Sequence, residues 1–391
     1  MIDIVVFSHS CLRRINRLVY EDISKISDFN FHLVVPKSIS SGNHEIIADN
    51  QNIKDKCKVY YLNLLGSNHK NFWFEGSIEF LDKIKPKIIH IDNDPLSYQV
   101  RKLAVWARKN EIKTSTLSCE NLSYYPIDNF KRLGFKGLLR SLYKLSLIKI
   151  TKNKIDNVFT INSEGEKLFS SYGFKNVNKI PLGFSSDIFF FDEATREKKR
   201  KELGINNMLV FAYIGRLVKE KGVHILLKAL SKSRDNENWV LLIDEFKDSK
   251  STYQKEITSL IDDLKINKKI KYFDANHYEI SKFMNASDVV VVPSLSSPKW
   301  VEQYGRVVPE AMACGKLVVA SKSGTLIDLV SDAGILFEEG NVDELSNICN
   351  TLINYKEVLI KYKDKAINRS KKLDTLSQAK EMISVFQNLL T

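Results

Sequence analysis

The sequence predicts an α/β protein of two domains, each a parallel sheet wrapped by helices. Three observations carry that expectation. The chain has 391 residues, and at roughly 100–200 residues per domain that makes two domains, each able to bury a core. Short β-branched runs alternate with longer stretches of helical apolar spacing almost throughout, the pattern of parallel strands joined by crossover helices. The alternation breaks once, at Pro181-Leu182-Gly183-Phe184-Ser185-Ser186, just before the charged stretch 192–202. The expected division is residues 1–185, residues 186–370 and a last helical segment, 371–391, packing back toward the first domain.

In the first domain the strand candidates are residues 3–7, 31–35, 58–61, 88–91, 114–117, 158–160 and 177–180. Residues 12–27, 72–84, 96–110 and 163–172 carry apolar side chains three and four apart and are expected helices. The second domain repeats the alternation with strands at 209–214, 239–243, 270–273, 288–292 and 317–320. Residues 345–390 read as successive helices with no strand left to add. In such sheets, ligands bind outside the carboxyl ends of the strands.

Lys and Arg number 59 against 47 Asp and Glu, a formal charge of +12. Its placement is uneven. Residues 101–154 hold 13 basic and three acidic residues, so the rest of the chain is close to neutral. The densest part contains Lys131, Arg132, Lys136, Arg140, Lys144, Lys149, Lys152 and Lys154 and no acid, with Leu138, Leu139, Leu142, Leu145 and Ile148 interleaved at helical spacing. A basic amphipathic helix suits an anionic membrane surface, where each basic residue contributes ~1 kcal/mol. It equally suits a surface helix whose leucines face the core, and the two can hold together. Only Phe130, Phe135 and Tyr143 are available for base stacking, which counts against nucleic acid.

Five cysteines, at 11, 57, 119, 314 and 349, have no Cys-x-x-Cys spacing. That pattern excludes a disulfide scaffold or zinc module and fits a reducing compartment. No stretch reaches the ~18 apolar residues a spanning helix needs, and the apolar run 2–7 is too short for a signal-peptide core. The expected location is cytoplasmic, with peripheral contact to the inner face of the membrane.

Two local patterns carry less than they suggest. Asp92-Asn93-Asp94 follows a strand and could offer hard oxygens to a divalent cation, but Pro95 makes a capped helix start the plainer reading. Tyr98 and Lys102 have the spacing of a dehydrogenase pair, yet no Gly-rich loop follows the first strand and the first glycine is Gly42. P-loop and His-Glu-x-x-His signatures are absent. No resident metal or cofactor is expected.

Two segments of the second domain carry chemistry. In the first, Gly215-Arg216-Leu217-Val218-Lys219-Glu220-Lys221-Gly222, a strand ends and a helix begins. Gly215 permits a tight turn, and Arg216 and Lys221 can converge on an anion, one as a planar fork and the other as a mobile point charge. The second runs from Glu302 through Gly305, Arg306, Val307 and Pro309 to Glu310. Pro309 fits a first helical turn. Gly305, Arg306 and Val307 would then offer backbone N–H groups to a phosphate. Glu302 in the loop and Glu310 in the helix would accept from hydroxyls at the two ends of a diphosphate-linked molecule.

Together these segments resemble glycosyltransferase family 4, the retaining, nucleotide-sugar-dependent enzymes of GT-B fold. Gly215 to Gly222 looks like the family's diphosphate loop, and Glu302 to Glu310 matches its Glu-x7-Glu element. Pro293-Ser294 and the stretches 311–315, 318–324 and 180–189 extend the likeness over most of the second domain. In the first domain the similarity is mainly architectural.

The resemblance implies two facing Rossmann-like domains with the active site in the cleft between them. It implies that Arg216 and Lys221 neutralise the diphosphate and that Glu302 contacts the donor sugar. Glu310 would hold the ribose hydroxyls, and the amides of Arg306 and Val307 would add to the phosphate site. The base would lie near residues 273–278, beginning at Phe273. No divalent metal would be needed, because basic side chains and helix dipoles take its place. Where many relatives carry a first-domain histidine, this chain has Cys119-Glu120-Asn121, which leaves Glu120, His9 and His90 as acceptor-side candidates. In a front-face transfer the leaving phosphate itself takes the acceptor proton, so no separate base is assigned.

The expected reaction moves a sugar from a nucleotide-sugar to a hydroxyl of a glycan or lipid-linked acceptor. It would serve assembly of a surface polysaccharide or lipopolysaccharide. Two alternatives stand beside it: a sugar phosphorylase or epimerase-like enzyme on the same fold, and a non-catalytic basic binder of membrane or nucleic acid. The base, the sugar, the acceptor and the linkage have no motif.

Overall fold

The computed structural model describes residues 1–41, 44–49, 56–66, 71–245 and 252–391. The chain divides into two compact units, Met1–Gly183 with Thr375–Thr391, and Phe184–Asp374.

Unit 1 is built on strands β1 (Ile2–Ser8), β2 (Phe29–Pro36), β3 (Ser38–Ser41), β4 (His44–Ile47), β5 (Cys57–Leu62), β6 (Leu64–Leu65), β7 (Trp73–Phe74), β8 (Ile88–Asp92), β9 (Lys113–Ser118), β10 (Asn157–Thr160) and β11 (Val177–Lys179). Seven of them form a sheet of order β11-β10-β9-β8-β1-β2-β5. Every pairing in it is parallel. β3 with β4 and β6 with β7 make small antiparallel ribbons. The central strands are buried on both faces, which is why 4–7 and 88–91 read as unbroken apolar runs around His90.

Its helices are α1 (Leu18–Ile26), α2 (Ser77–Ile84), α3 (Tyr98–Lys109), α4 (Pro126–Leu133), α5 (Phe135–Thr151), α6 (Ser163–Ser171) and, at the chain end, Thr375–Leu390. Side-chain caps set the starts of two of them: Ser97 accepts from Val100 N–H at 3.4 Å, and Asn162 accepts from Gly165 N–H at 2.6 Å. The terminal helix is part of this unit's core. Phe386 is fully buried, with its ring 5.7–6.4 Å from those of Phe29, Phe31, His90 and Phe159.

Three expectations for unit 1 need correction. Residues 12–17 form 3₁₀ turns before α1, because the buried Arg17 guanidinium takes up the carbonyls of Cys11 and Leu12 at 2.6 and 3.0 Å. Only Ser77–Ile84 of the expected helix 72–84 is helical, and Trp73–Phe74 pairs with β6 instead. The leucine stripe of α5 is split: Ile148 is buried, Leu138 and Leu145 are half-buried, and Leu139 and Leu142 are exposed.

Unit 2 holds β12 (Leu209–Tyr213), β13 (Trp239–Asp244), β14 (Ile270–Phe273), β15 (Val289–Val292), β16 (Leu317–Ser321) and β17 (Ile335–Phe337) in the order β14-β13-β12-β15-β16-β17, all parallel. Its helices are α7 (Glu193–Leu203), α8 (Val223–Ser231), α9 (Thr252–Asp263), α10 (Ile280–Ala286), α11 (Val307–Ala313), α12 (Leu326–Val330), α13 (Val342–Asn354) and α14 (Glu357–Ser370), so that the terminal helix is α15. Trp239, Phe211, Leu226, Leu230 and Phe337 are fully buried in its core. β17 escaped the sequence reading, since three apolar residues between Gly334 and Glu338-Glu339 are too short to show a period.

The strand order reverses between β12 and β15 in unit 2 and between β1 and β8 in unit 1. Loops leaving adjacent strands on opposite sides of such a switch point open a crevice at the strands' carboxyl ends.

Candidate active site

The two segments singled out in the sequence meet at the unit 2 switch point. The loop after β12 and the loop after β15 touch at Gly222. Its φ is +68°, and a Cβ there would lie 1.8 Å from the Pro293 carbonyl oxygen. Glycine alone allows that approach. Leu295 N–H donates to the Glu220 carbonyl at 2.8 Å and ties the same loops together.

Lys221 and Glu302 are brought together. Lys221 Nζ lies 2.6 Å from Glu302 Oε2, which also accepts from Ser294 Oγ at 2.7 Å. Glu302 is 4% exposed, and the ammonium lies 5.1 Å from the centre of the Trp300 ring. The pair is a desolvated, charge-assisted contact at the mouth of the crevice. Arg216 stands differently. Tyr213 Oη fixes its carbonyl at 2.8 Å, while its exposed guanidinium bonds to no described residue and is available to an anion.

Glu310 sits in the first turn of α11, behind Gly305, whose φ of +77° and closeness to Leu326 exclude a side chain. The helix opens at Arg306, and Val308 N–H donates to the Gly305 carbonyl at 2.9 Å. Glu310 is 5% exposed, yet its Oε1 has no hydrogen-bond partner. The nearest basic groups are His277 Nε2 at 3.9 Å and Arg306 Nε at 4.0 Å. Burial pushes the Glu310 carboxyl up to about 7, with Arg306 pulling the other way. Burial, reinforced by Arg306, pushes the His277 imidazole down to about 4. Each shift is opposite to what a salt bridge between them would cause. The contact is therefore a buried carboxyl and a half-buried imidazole beside one another, Glu310 Oε1 and His277 Nε2 each without a hydrogen-bond partner among the described residues. A hydroxyl-rich ligand would satisfy both.

His277 is the residue that sequence reasoning missed. It lies inside the stretch 273–278 marked for a base, where attention went to the aromatic rings. Phe273 is 6% exposed and stacks on Phe283 at 4.1 Å, so one ring face is already covered. Tyr278, 49% exposed, is the open ring of that loop.

The unit 1 candidates are not gathered into one constellation. His90 is fully buried in β8, bonded to Ser115 Oγ at 3.2 Å and ringed by Tyr20, Phe159 and Phe386. Burial pushes it down to about 4. It is a core residue, which corrects its candidacy for the acceptor side. His9 follows β1, half-buried, with its ring 5.3 Å from Phe72. Glu120 is half-buried and partnered, accepting from Tyr124 Oη at 2.6 Å and Leu122 N–H at 3.2 Å. No unpaired carboxylate therefore argues for its role.

Asp92 accepts from the hydroxyls of Ser8 and Ser10, and Asp94 accepts from Leu96 N–H at 2.7 Å in the turn into α3. Burial, then Asp92, Asp94 and Glu120, push the Cys119 thiol up to about 12, which leaves it inert. Among the described residues no three His, Cys, Asp or Glu gather as a metal would need. No described helix is long and apolar enough to cross a membrane.

Two α/β units on parallel sheets constitute the GT-B fold of glycosyltransferases. Residues 195–372, within unit 2, match the family described as glycosyl transferases group 1. The chain is 26% identical over 206 residues to D-inositol 3-phosphate glycosyltransferase of Corynebacterium glutamicum, covering 51% of this chain and 48% of that one. It is 30% identical over 192 residues to lipopolysaccharide 1,2-N-acetylglucosaminetransferase of Salmonella typhimurium, covering 46% and 48%. The chain spans about half the length of the curated relatives it matches. Among solved structures, a glycosyltransferase from Rickettsia africae superposes with a TM-score of 0.73 at 16% identity, covering 100% of this chain and 99% of that one.

Proposed function

We propose that this chain is a retaining, metal-independent glycosyltransferase of family 4, moving a sugar from a nucleoside diphosphate to a hydroxyl. The observation that carries the reading is the Lys221–Glu302 contact at the unit 2 switch point, with an exposed Arg216 on the same loop whose guanidinium bonds to no described residue. Arg216 and Lys221 would bind the diphosphate and stabilise the charge that grows on it as the glycosidic bond breaks. Lys221 would at the same time hold Glu302 toward the sugar hydroxyls. Glu310 and His277 would take the ribose diol, which supplies the partners both now lack.

The anomeric carbon forms its new bond to the acceptor oxygen on the face the diphosphate leaves, and the acceptor proton passes to the departing phosphate oxygen. The relative named a lipopolysaccharide N-acetylglucosaminetransferase supports an acceptor in lipopolysaccharide or surface polysaccharide assembly.

The test is the melting temperature against a panel of nucleoside diphosphates and nucleotide-sugars, each with and without Mg²⁺. One nucleotide at 100 times its dissociation constant should add about 2.7 kcal/mol, independently of Mg²⁺, and the gain should vanish in Arg216→Ala. A panel without any shift would remove the donor and the proposal with it.

Glu310 gives a second expectation. Its folded pKa is raised above the ordinary 4.5 to about 7, so the native state holds the extra proton and this group's contribution to stability falls as pH rises between those values. His277 works the other way: its pKa is lowered from 6.5 to about 4, so its contribution rises with pH across that window. Substitution separates them. From pH 5 to pH 8, Glu310→Gln should gain roughly 3 kcal/mol relative to the parent, read from urea unfolding. An unchanged difference would mean that Glu310 is not the buried acid described.

A further inference from the structure

The α4–α5 hairpin of unit 1 turns the wrong side chains outward. The positions α5 buries include Gly137, Ser141, Lys144 and Thr151. The large apolar residues it exposes are Phe135 (66%), Leu139 (54%), Leu142 (56%), Tyr143 (58%) and Ile150 (56%). On α4, Ile127 (70%) and Phe130 (54%) are exposed as well. Single exposed leucines are ordinary, but a row of them at positions i, i+4, i+7 and i+8 of one helix is a surface waiting for an apolar phase.

The arrangement is fixed by tight packing. A Cβ on Gly137 would lie 2.1 Å from the Asn129 carbonyl oxygen, so the helices touch there. Asn129 Nδ2 donates to Ser141 Oγ at 2.7 Å across the contact. Lys144, the one lysine turned inward, rests on the Tyr124 ring at 5.1 Å. The outward face keeps Lys131, Lys136, Arg140 and Lys149, all exposed and none in an ion pair among the described residues. No acid occurs between Asp128 and Asp156.

We propose that this hairpin docks unit 1 on an anionic lipid bilayer. Phe135, Leu139, Leu142 and Tyr143 enter the boundary of the acyl chains, while Lys136, Arg140 and Lys149 meet headgroup phosphates, the division of labour of an interfacial helix. Charge complementarity selects this occupant. A second copy would bring the same uncompensated cations face to face, and a nucleic acid would offer phosphates but no apolar phase for Leu139 and Leu142. The inference does not rest on the donor-site reading and places the chain where a lipid-linked acceptor would be.

Flotation of the full chain with phosphatidylglycerol-containing vesicles, without nucleotide, should show binding that pure phosphatidylcholine vesicles do not give. High salt should weaken it without abolishing it. L139S/L142S should remove the salt-resistant part, and K136Q/R140Q/K149Q should weaken binding roughly fivefold per charge. Both variants should keep the parent's melting temperature, since the altered side chains are exposed. Absence of flotation on anionic vesicles, or flotation unaffected by either variant, would overturn the proposal. So would salt-sensitive binding to duplex DNA without vesicle binding, or a dimer broken by L139S/L142S in a chain that ignores vesicles. A protein that floats but answers to no nucleotide keeps this surface and loses its donor site, and the reverse result does the opposite.

Discussion

Lys221→Ala should lower the rate of sugar transfer by about 10²–10³-fold, the range for removing one donor aimed at developing negative charge. It should also cost about 3 kcal/mol of stability, because it leaves a buried carboxylate without its cation. Glu302 is 4% exposed and keeps the Ser294 hydroxyl, but a neutral donor at 2.7 Å does not offset a lost ammonium at 2.6 Å. Adding Glu302→Gln to Lys221→Ala should restore most of the stability and none of the rate. Steady-state kinetics and urea unfolding read the two effects separately. A variant that turns over within a few-fold of the parent would move the chemistry away from this pair.

At the other end of the same strands, Asp288→Ala should cost about 3–5 kcal/mol, the range for breaking a buried ion network by removing one member. Against a total of about 5–15 kcal/mol that is enough to leave unit 2 barely folded. Asp288 lies just before β15 and accepts from the Arg196 guanidinium, from Arg200 Nη1 at 3.2 Å and from Val210 N–H of β12 at 2.8 Å. Arg200 is 6% exposed and also donates to the Ile205 carbonyl at 3.2 Å, so α7 is fastened to two strands through one carboxylate.

Burial pushes the Asp288 carboxyl up, but Arg196, Arg200 and the Val210 N–H outweigh it and hold the pKa below the ordinary 3.8. Its contribution is therefore complete above that value and lost as pH falls through the lower folded pKa. The parent should show a steep acid limb below pH 4 that the alanine variant lacks. The site lies at the strands' carboxyl ends and Asp288 at their amino ends, so whatever fraction of the variant stays folded should turn over normally. Loss of kcat without loss of stability would contradict this assignment.

Periodicity and punctuation were enough to determine the α/β class, the strands of both large sheets except β17, and the loops around Arg216, Lys221, Glu302 and Glu310. Those signals are local: a buried parallel strand is a run of apolar residues, and a phosphate loop needs glycine and basic residues at fixed spacing. Tertiary structure alone decided which side chains meet. Lys221 and Glu302 are 81 residues apart and touch because β12 and β15 are neighbours at the switch point. The buried Glu310 carboxyl beside the half-buried His277, neither of the facing atoms with a hydrogen-bond partner among the described residues, depends on how α11 packs, which no spacing encodes.

The same holds for His90, whose place beneath Phe386 requires the last helix of the chain to cover the first sheet. It holds also for α5, where a helical apolar period does not say which face looks inward. Gly137 against Asn129 and Lys144 against Tyr124 settled that, leaving Leu139 and Leu142 on the surface while Ile148 packs inward.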